Sequence, residues 1–192
     1  LLLHGFPEYW GSWKSQIQAL TEAGYRVWAP DLRGYGRSDK PLRVKDYRLR
    51  TLGEDVRQLV DAAGVEKCML VAHDWGAAIA WWAAAEHPER FSRMVIANVP
   101  HPTVFSRHIK WNPAQTRRSW YIFFFQLPYL PERLIQSGNF RRAVEAVAGT
   151  ANPGSFTEEM LDGYRESWSH GGFRSMINYY RAAMRYQDLP KS

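Results

Sequence analysis

The sequence is poor in the features that mark several protein classes. It has one cysteine in 192 residues, so an internal disulfide is excluded; Cys68 sits in the apolar run Cys68-Met69-Leu70-Val71 and reads as a buried strand residue. A reducing, cytoplasmic compartment fits that usage. No apolar run reaches the length of a membrane span, and the strongest candidate, around Trp120 to Leu130, is interrupted by Gln126 and Pro128. No block of one charge sign is present either. The net charge is +6, but the arginines are spread along the chain, which describes a solvated basic surface and not a nucleic-acid footprint. Histidine, cysteine, aspartate and glutamate cluster nowhere at metal-ligand spacing, and there is no internal repeat or low-complexity tract. An initiating methionine is lacking too. The chain opens on Leu1-Leu2-Leu3 like the end of a strand and closes on Asp188-Leu189-Pro190-Lys191-Ser192 like a connector, so the sequence reads as a piece of a longer protein.

What is present suffices for a packed core: 45% of residues are hydrophobic and 15% aromatic, enough to bury a domain of this length. His4-Gly5-Phe6-Pro7-Glu8 forms a tight loop after a strand and can present a backbone N–H. Ser12 is the expected N-cap of a helix to about Glu22, with Trp13, Ile17 and Leu20 at helical spacing and Gly24 as its stop. Tyr25-Arg26-Val27-Trp28-Ala29 reads as a short strand ended by Pro30, and Asp31 to Pro41 as a loop. The glycines of that loop do not cradle a phosphate, because no Lys-Ser or Lys-Thr helix follows at the right spacing. Leu52, Val56, Leu59 and Val60 predict a helix over Thr51–Ala63, stopped by Gly64. After Leu70 to Ala80 the helix continues through Trp81, Trp82 and Ala85 to His87-Pro88, and Arg93 to Val99 reads as another buried strand. Alternating strands and helices predict a parallel sheet covered on both faces. From Thr103 to Tyr186 only helical segments appear, broken at Pro113, Pro128, Pro131, Gly149, Pro153 and Gly171 and dense in large aromatics.

The chemistry centres on Leu70-Val71-Ala72-His73-Asp74-Trp75-Gly76-Ala77-Ala78-Ile79-Ala80. Apolar strand residues give way to small ones and restart as a helix, the pattern of a nucleophile elbow, where Ala72, Gly76 and Ala77 let strand and helix approach closely. The residue at its tip is Asp74, so the candidate nucleophile is a carboxylate and not a serine hydroxyl. His73 is adjacent in the strand and should face away from the Asp74 pocket. His4 is expected to brace its loop, Glu8 either to shape that loop or to lie on the surface, and His101 and His108 to lie at the entry to the helical segment.

These motifs resemble an α/β-hydrolase-fold epoxide hydrolase over nearly the whole chain, His4 to Asp188. The family's oxyanion motif stands as His4-Gly5-Phe6-Pro7 and its elbow as Ala72-His73-Asp74-Trp75-Gly76-Ala77. The resemblance implies a mainly parallel sheet flanked by helices, with a core over 1–102, a helical cap over 103–188, and 189–192 leading back to the core. It also implies that both ends of the fold are incomplete. By the same resemblance, Asp74 is the nucleophile, Tyr121 and Tyr180 bind and protonate the epoxide oxygen, and the backbone N–H groups of Phe6 and Trp75 form the oxyanion hole. Tyr179 competes with Tyr180, since adjacent helix positions face different ways. The implied partners are a small apolar epoxide and water, with no cofactor, metal or nucleic acid. The general base histidine and its acid partner match no residue of this chain; His170, the last histidine, lies between two cap helices. A haloalkane dehalogenase shares the aspartate and the following tryptophan but needs no proton donor. A non-catalytic binding module would keep the aromatic pocket and dispense with Asp74.

Overall fold

The computed structural model describes residues 1–149 and 151–188. The expected return segment 189–192 lies outside the described residues. Three strands form a parallel sheet in chain order: β1 (Leu2–Leu3), β2 (Cys68–His73) and β3 (Phe91–Ala97). Leu2 pairs with Val71 and Leu3 with Ala72, while Met69 to His73 pair with Arg93 to Ala97. Leu70 and Ala72 alternate into the fully buried face of β2.

Helices α1 (Lys14–Glu22), α2 (Leu49–Ala62) and α3 (Asp74–Glu86) accompany the sheet. In α2 the buried residues Leu52, Val56 and Val60 recur every four positions, so one stripe faces the core. Each such side chain contributes about 1.5–3 kcal/mol by leaving water. α3 is apolar nearly all round and buries Gly76, Ala77, Ile79, Ala80, Trp82 and Ala83 between the sheet and α2.

The structure corrects four expectations. Tyr25–Ala29 forms no regular strand; it keeps one sheet-like bond, from Leu2 N–H to Trp28 O at 2.8 Å. β-Branched and aromatic content makes a segment fit a pleated surface, but a ladder needs repeated pairing, and among the described residues this segment keeps only that bond to β1. Ser12 is not an N-cap. It lies in a 3₁₀ turn, Trp10–Trp13, and its hydroxyl donates to Tyr9 O at 3.0 Å, a local bond that competes with capping. Strand β3 is only partly buried in this chain, where β2 is its one paired neighbour among the described residues: Val95 is 58% exposed, while Phe91, Met94 and Ile96 are half-buried. Apolar content alone does not reveal how many neighbours a strand has. Finally, Cys68, expected to be buried, is only half-buried at the start of β2.

Beyond β3 the described residues are helical: α4 (Pro102–Trp111), α5 (Pro113–Arg118), α6 (Trp120–Phe124), α7 (Leu130–Gln136), α8 (Arg141–Gly149), α9 (Glu158–Ser169) and α10 (Phe173–Tyr186). Proline opens α4 and α5 and sits in the first turn of α7, where its missing N–H costs nothing. No helix among the described residues is long and apolar enough to cross a membrane.

α9 and α10 bury Tyr164, Trp168, Phe173, Met176 and Ile177 and seat on the sheet-bearing part through polar bonds. Trp168 Nε1–H donates to Pro7 O and Ser175 Oγ–H to Gly34 O, both at 2.6 Å. Arg48 pairs with Asp188, its Nε at 2.8 Å from Oδ2. Within the helical part, Arg181 Nη1 meets Glu132 Oε1 at 2.7 Å, both side chains being nearly buried.

Candidate active site

Asp74 occupies the first position of α3 directly after β2, with φ at 49°, a left-handed backbone for a non-glycine residue. Aspartate tolerates that region better than most L-residues, and the turn lifts its carboxyl out of the strand line. Gly76 is required two residues on: a Cβ there would stand 2.4 Å from Leu3 O and 2.5 Å from His4 O. Gly5 is equally confined, since its Cβ would fall 2.3 Å from that of Asp74. The small residues of the two motifs therefore press one backbone against the other.

Phe6 N–H donates to Asp74 Oδ1 at 2.7 Å, and Trp75 N–H also holds the carboxyl. Asp74 keeps some exposed surface, yet burial of the carboxyl raises its pKa, a shift the two backbone donors and His73 partly reverse. Asn98, at the end of β3, accepts from Asp74 N–H at 3.3 Å. No pattern in the sequence pointed to Asn98.

The His4 loop is built as a clamp. His4 is fully buried; Leu32 N–H donates to its Nε2 at 3.0 Å, so Nδ1 carries the proton and donates to Gly5 O at 3.0 Å. Burial holds the His4 pKa below its usual value and the ring neutral. Glu8 faces this loop and is not a free surface group. It accepts from Gly5 N–H at 3.1 Å and meets His73 Nδ1 at 3.2 Å. Burial pushes the Glu8 carboxyl up, but His73 and the Gly5 N–H outweigh it and leave the pKa lowered. The same bond raises His73, which is thus committed to Glu8.

Tyr180 is 5% exposed, its ring edge-on to Phe6, Trp75, Tyr121 and Phe125 with centroids 4.9–5.8 Å away. Burial lifts its pKa well above the phenol value, and the Asp74 charge and Tyr121 add to the rise. Tyr121 is raised by burial and by Asp74 in the same way. Both phenols therefore stay protonated and can donate. The Trp75 indole meets the Tyr180 ring edge-on, with centroids 5.1 Å apart.

Tyr179 turns elsewhere. It is fully buried, donates its hydroxyl to Arg33 O at 2.6 Å and stacks among Tyr35, Tyr47 and Trp75. The carboxylate, two backbone donors and two protonated phenols gather at one place. His101 caps α4, His108 is exposed, and His170 ends α9 beside Glu166. An open groove of about 680 Å³, lined by Trp111, Pro113, Thr116, Arg117, Trp120 and Phe123, includes none of these groups. Among the described residues no group of three or more His, Cys, Asp or Glu could hold a metal.

A carboxylate at a strand–helix elbow, facing a backbone-donor loop on a parallel sheet, defines a hydrolase-type nucleophile site. The α/β hydrolase fold family matches residues 1–153, and the chain belongs to that family. The more particular likeness is to epoxide hydrolases. Human Epoxide hydrolase 4 is 40% identical over 187 residues, covering 94% of this chain and 51% of the human protein. A mutant of an epoxide hydrolase from Bacillus megaterium superposes with a TM-score of 0.88 at 34% identity, covering 98% of this chain and 66% of that one. An AB hydrolase superfamily protein of Bacillus subtilis is 42% identical, with 95% of this chain and 64% of its own length covered. The chain thus spans between about half and two thirds of these relatives.

Proposed function

We propose that the whole protein is an epoxide hydrolase that opens an epoxide to a vicinal diol through an ester on Asp74. The carrying observation is the Asp74 carboxyl, bonded to Phe6 N–H at 2.7 Å and electrostatically coupled to the protonated phenols of Tyr121 and Tyr180. Asp74 attacks an epoxide carbon, its C–O bond breaks, and the departing alkoxide takes a proton from a phenol. Water then adds to the ester carbonyl, and the oxyanion, held by the N–H groups of Phe6 and Trp75, collapses to break the ester bond. This releases the diol and the Asp74 carboxylate while the protons of the water pass to the diol oxygen and the phenolate. Each of the two N–H donors is worth about 3 kcal/mol. The base that activates this water is assigned to no residue of this chain. His73 is engaged by Glu8.

We take residues 1–102 as the hydrolase core and 103–188 as its cap. The single cysteine favours a cytoplasmic location. An apolar, aryl-bearing epoxide suits the ring cage of Phe6, Trp75 and Phe125 around Tyr180. A Bacillus megaterium relative, 34% identical, is known complexed with a naphthyloxy-propanediol product. A haloalkane dehalogenase needs no proton donor, so the protonated phenols of Tyr121 and Tyr180 near Asp74 favour the epoxide reading.

The test is single-turnover quench of the full-length protein with an aryl glycidyl ether, followed by mass analysis of the Asp74 peptide. An adduct in the parent, its absence in Asp74→Ala, and a roughly 10²–10⁴-fold slower ring opening in Tyr180→Phe and Tyr121→Phe are expected. Halide release from a haloalkane that neither tyrosine change affects would defeat the reading. So would unaltered ligand affinity in Asp74→Ala with no adduct in the parent, which would favour a binding module.

A further inference from the structure

The turn that follows β3 carries a group that reaches the elbow. In the parallel register His73 stands beside Ala97, so the residues that follow, Asp74 and Asn98, are neighbours at the C-terminal edge of the sheet. Both have left-handed backbones, with φ at 49° and 62°. Asparagine is among the few L-residues that accept that region readily, and here its side chain has a second use: Oδ1 accepts from Asp74 N–H at 3.3 Å.

That N–H needs an acceptor from outside its own helix. The first four N–H groups of a helix have no intrahelical partner, and His73, which precedes α3, makes no side-chain cap bond. Asn98 does the capping from the neighbouring strand. The peptide after it is fixed in turn, since Trp81 Nε1–H, two turns along α3, donates to Val99 O at 3.2 Å. The Trp81 ring also meets His101 edge-on with centroids 5.3 Å apart, and His101 accepts from Thr103 N–H at the start of α4. The turn 98–101 is therefore tied to α3 at both ends.

The Asp74 carboxyl is held from the other side. Phe6 N–H bonds Oδ1 at 2.7 Å, and a Cβ on Gly5 would fall on that of Asp74, so the loop backbone lies tight against the side chain. A nucleophile fixed at its side chain can still turn about its own peptide unless the N–H is held as well, and a displacement of about 1 Å can slow an oriented reaction ~100-fold. We propose that Asn98 is a positioning residue for the nucleophile, holding the Asp74 peptide in the left-handed turn so that the carboxylate keeps its line of attack. The proposal rests on the reading of Asp74 as the group that is alkylated. Asn98 acts through the Asp74 backbone and not on the substrate.

The experiment uses the full-length protein and two variants that separate the bond from the backbone. Asn98→Gly keeps the left-handed turn and loses the acceptor, while Asn98→Asp keeps both. Amide hydrogen exchange at Asp74, read without substrate, should be about fivefold faster in Asn98→Gly and unchanged in Asn98→Asp. Single-turnover reaction with an aryl glycidyl ether should form the Asp74 ester roughly 10–100-fold more slowly in Asn98→Gly, with substrate affinity unchanged. Parental exchange in Asn98→Gly overturns the bond, and faster exchange with parental ester formation overturns the positioning role. An adduct missing from the parent defeats the reading of Asp74 instead, and faster exchange in Asn98→Gly then still upholds the anchor.

Discussion

The two halves of the site hold their groups by different means. On the sheet side, position is set by backbone against backbone: Phe6 N–H on Asp74, and Gly76 with no room for a Cβ beside Leu3 O and His4 O. On the helical side, position is set by rings. Tyr180 is caged edge-on by Phe125, Trp75 and Phe6 at 4.9–5.2 Å, contacts worth about 0.5–1.5 kcal/mol each beyond burial. A backbone-built half tolerates almost no change in volume. A ring-built half can be retuned one side chain at a time, so the Asp74 geometry is fixed while the packing around Tyr180 is adjustable.

The largest effect that would break this contrast is at Gly76. Gly76→Ala should cost more than about 4 kcal/mol or prevent folding altogether, because the added methyl meets two carbonyl oxygens of the backbone; thermal denaturation of the purified variant checks it, and a stable, active protein would mean that the elbow is not backbone-limited. Next is Arg181→Ala in the helical half. It leaves Glu132 buried and uncompensated and strips donors from Phe125 O and Leu127 O, at a cost of about 3–5 kcal/mol by chemical denaturation. A smaller loss separates the two adjacent tyrosines. Tyr179→Phe removes one bond to Arg33 O and should cost about 1 kcal/mol of stability with ring opening nearly unchanged, the reverse of Tyr180→Phe.

The smallest effect, under about 1 kcal/mol, concerns the Glu8–His73 pair and its pH window. His73 has a folded pKa above its usual 6.5, so its contribution is complete below pH 6.5 and fades as pH rises through the folded value. Glu8 lies below its usual 4.5, so its contribution is present above pH 4.5 and is lost as pH falls through the folded value. Glu8→Gln should therefore lower the melting temperature most between pH 4.5 and 6.5, with the difference shrinking toward alkaline pH. A pH-independent difference would show that Glu8 acts only through Gly5 N–H.

How legible each half was follows from the same contrast. The elbow can be read because close backbone approach demands small residues at fixed offsets, and Ala72, Gly76 and Ala77 stand there; the α2 stripe can be read from its four-residue spacing. The tyrosine pair came only through family resemblance, since nothing in Asn178-Tyr179-Tyr180-Arg181 says which ring faces Asp74; that depends on which side of α10 meets the core. Contacts distant in sequence, such as Trp168 with Pro7 O and Asn98 with Asp74 N–H, leave no local pattern. The strand expected at Tyr25–Ala29 and the burial expected for β3 failed for a related reason: composition describes a segment, whereas pairing and coverage depend on its neighbours.

Tyr179 and Ser175 both grip the loop between Asp31 and Pro41, at Arg33 O and Gly34 O, each at 2.6 Å. That loop is the footing of α10, the helix that also carries Tyr180. Leu32 and Tyr35 of the same loop are buried, and the Tyr35 ring meets that of Tyr179 edge-on with centroids 5.3 Å apart. A change in that loop would thus be felt along α10 at a distance from the Asp74 elbow.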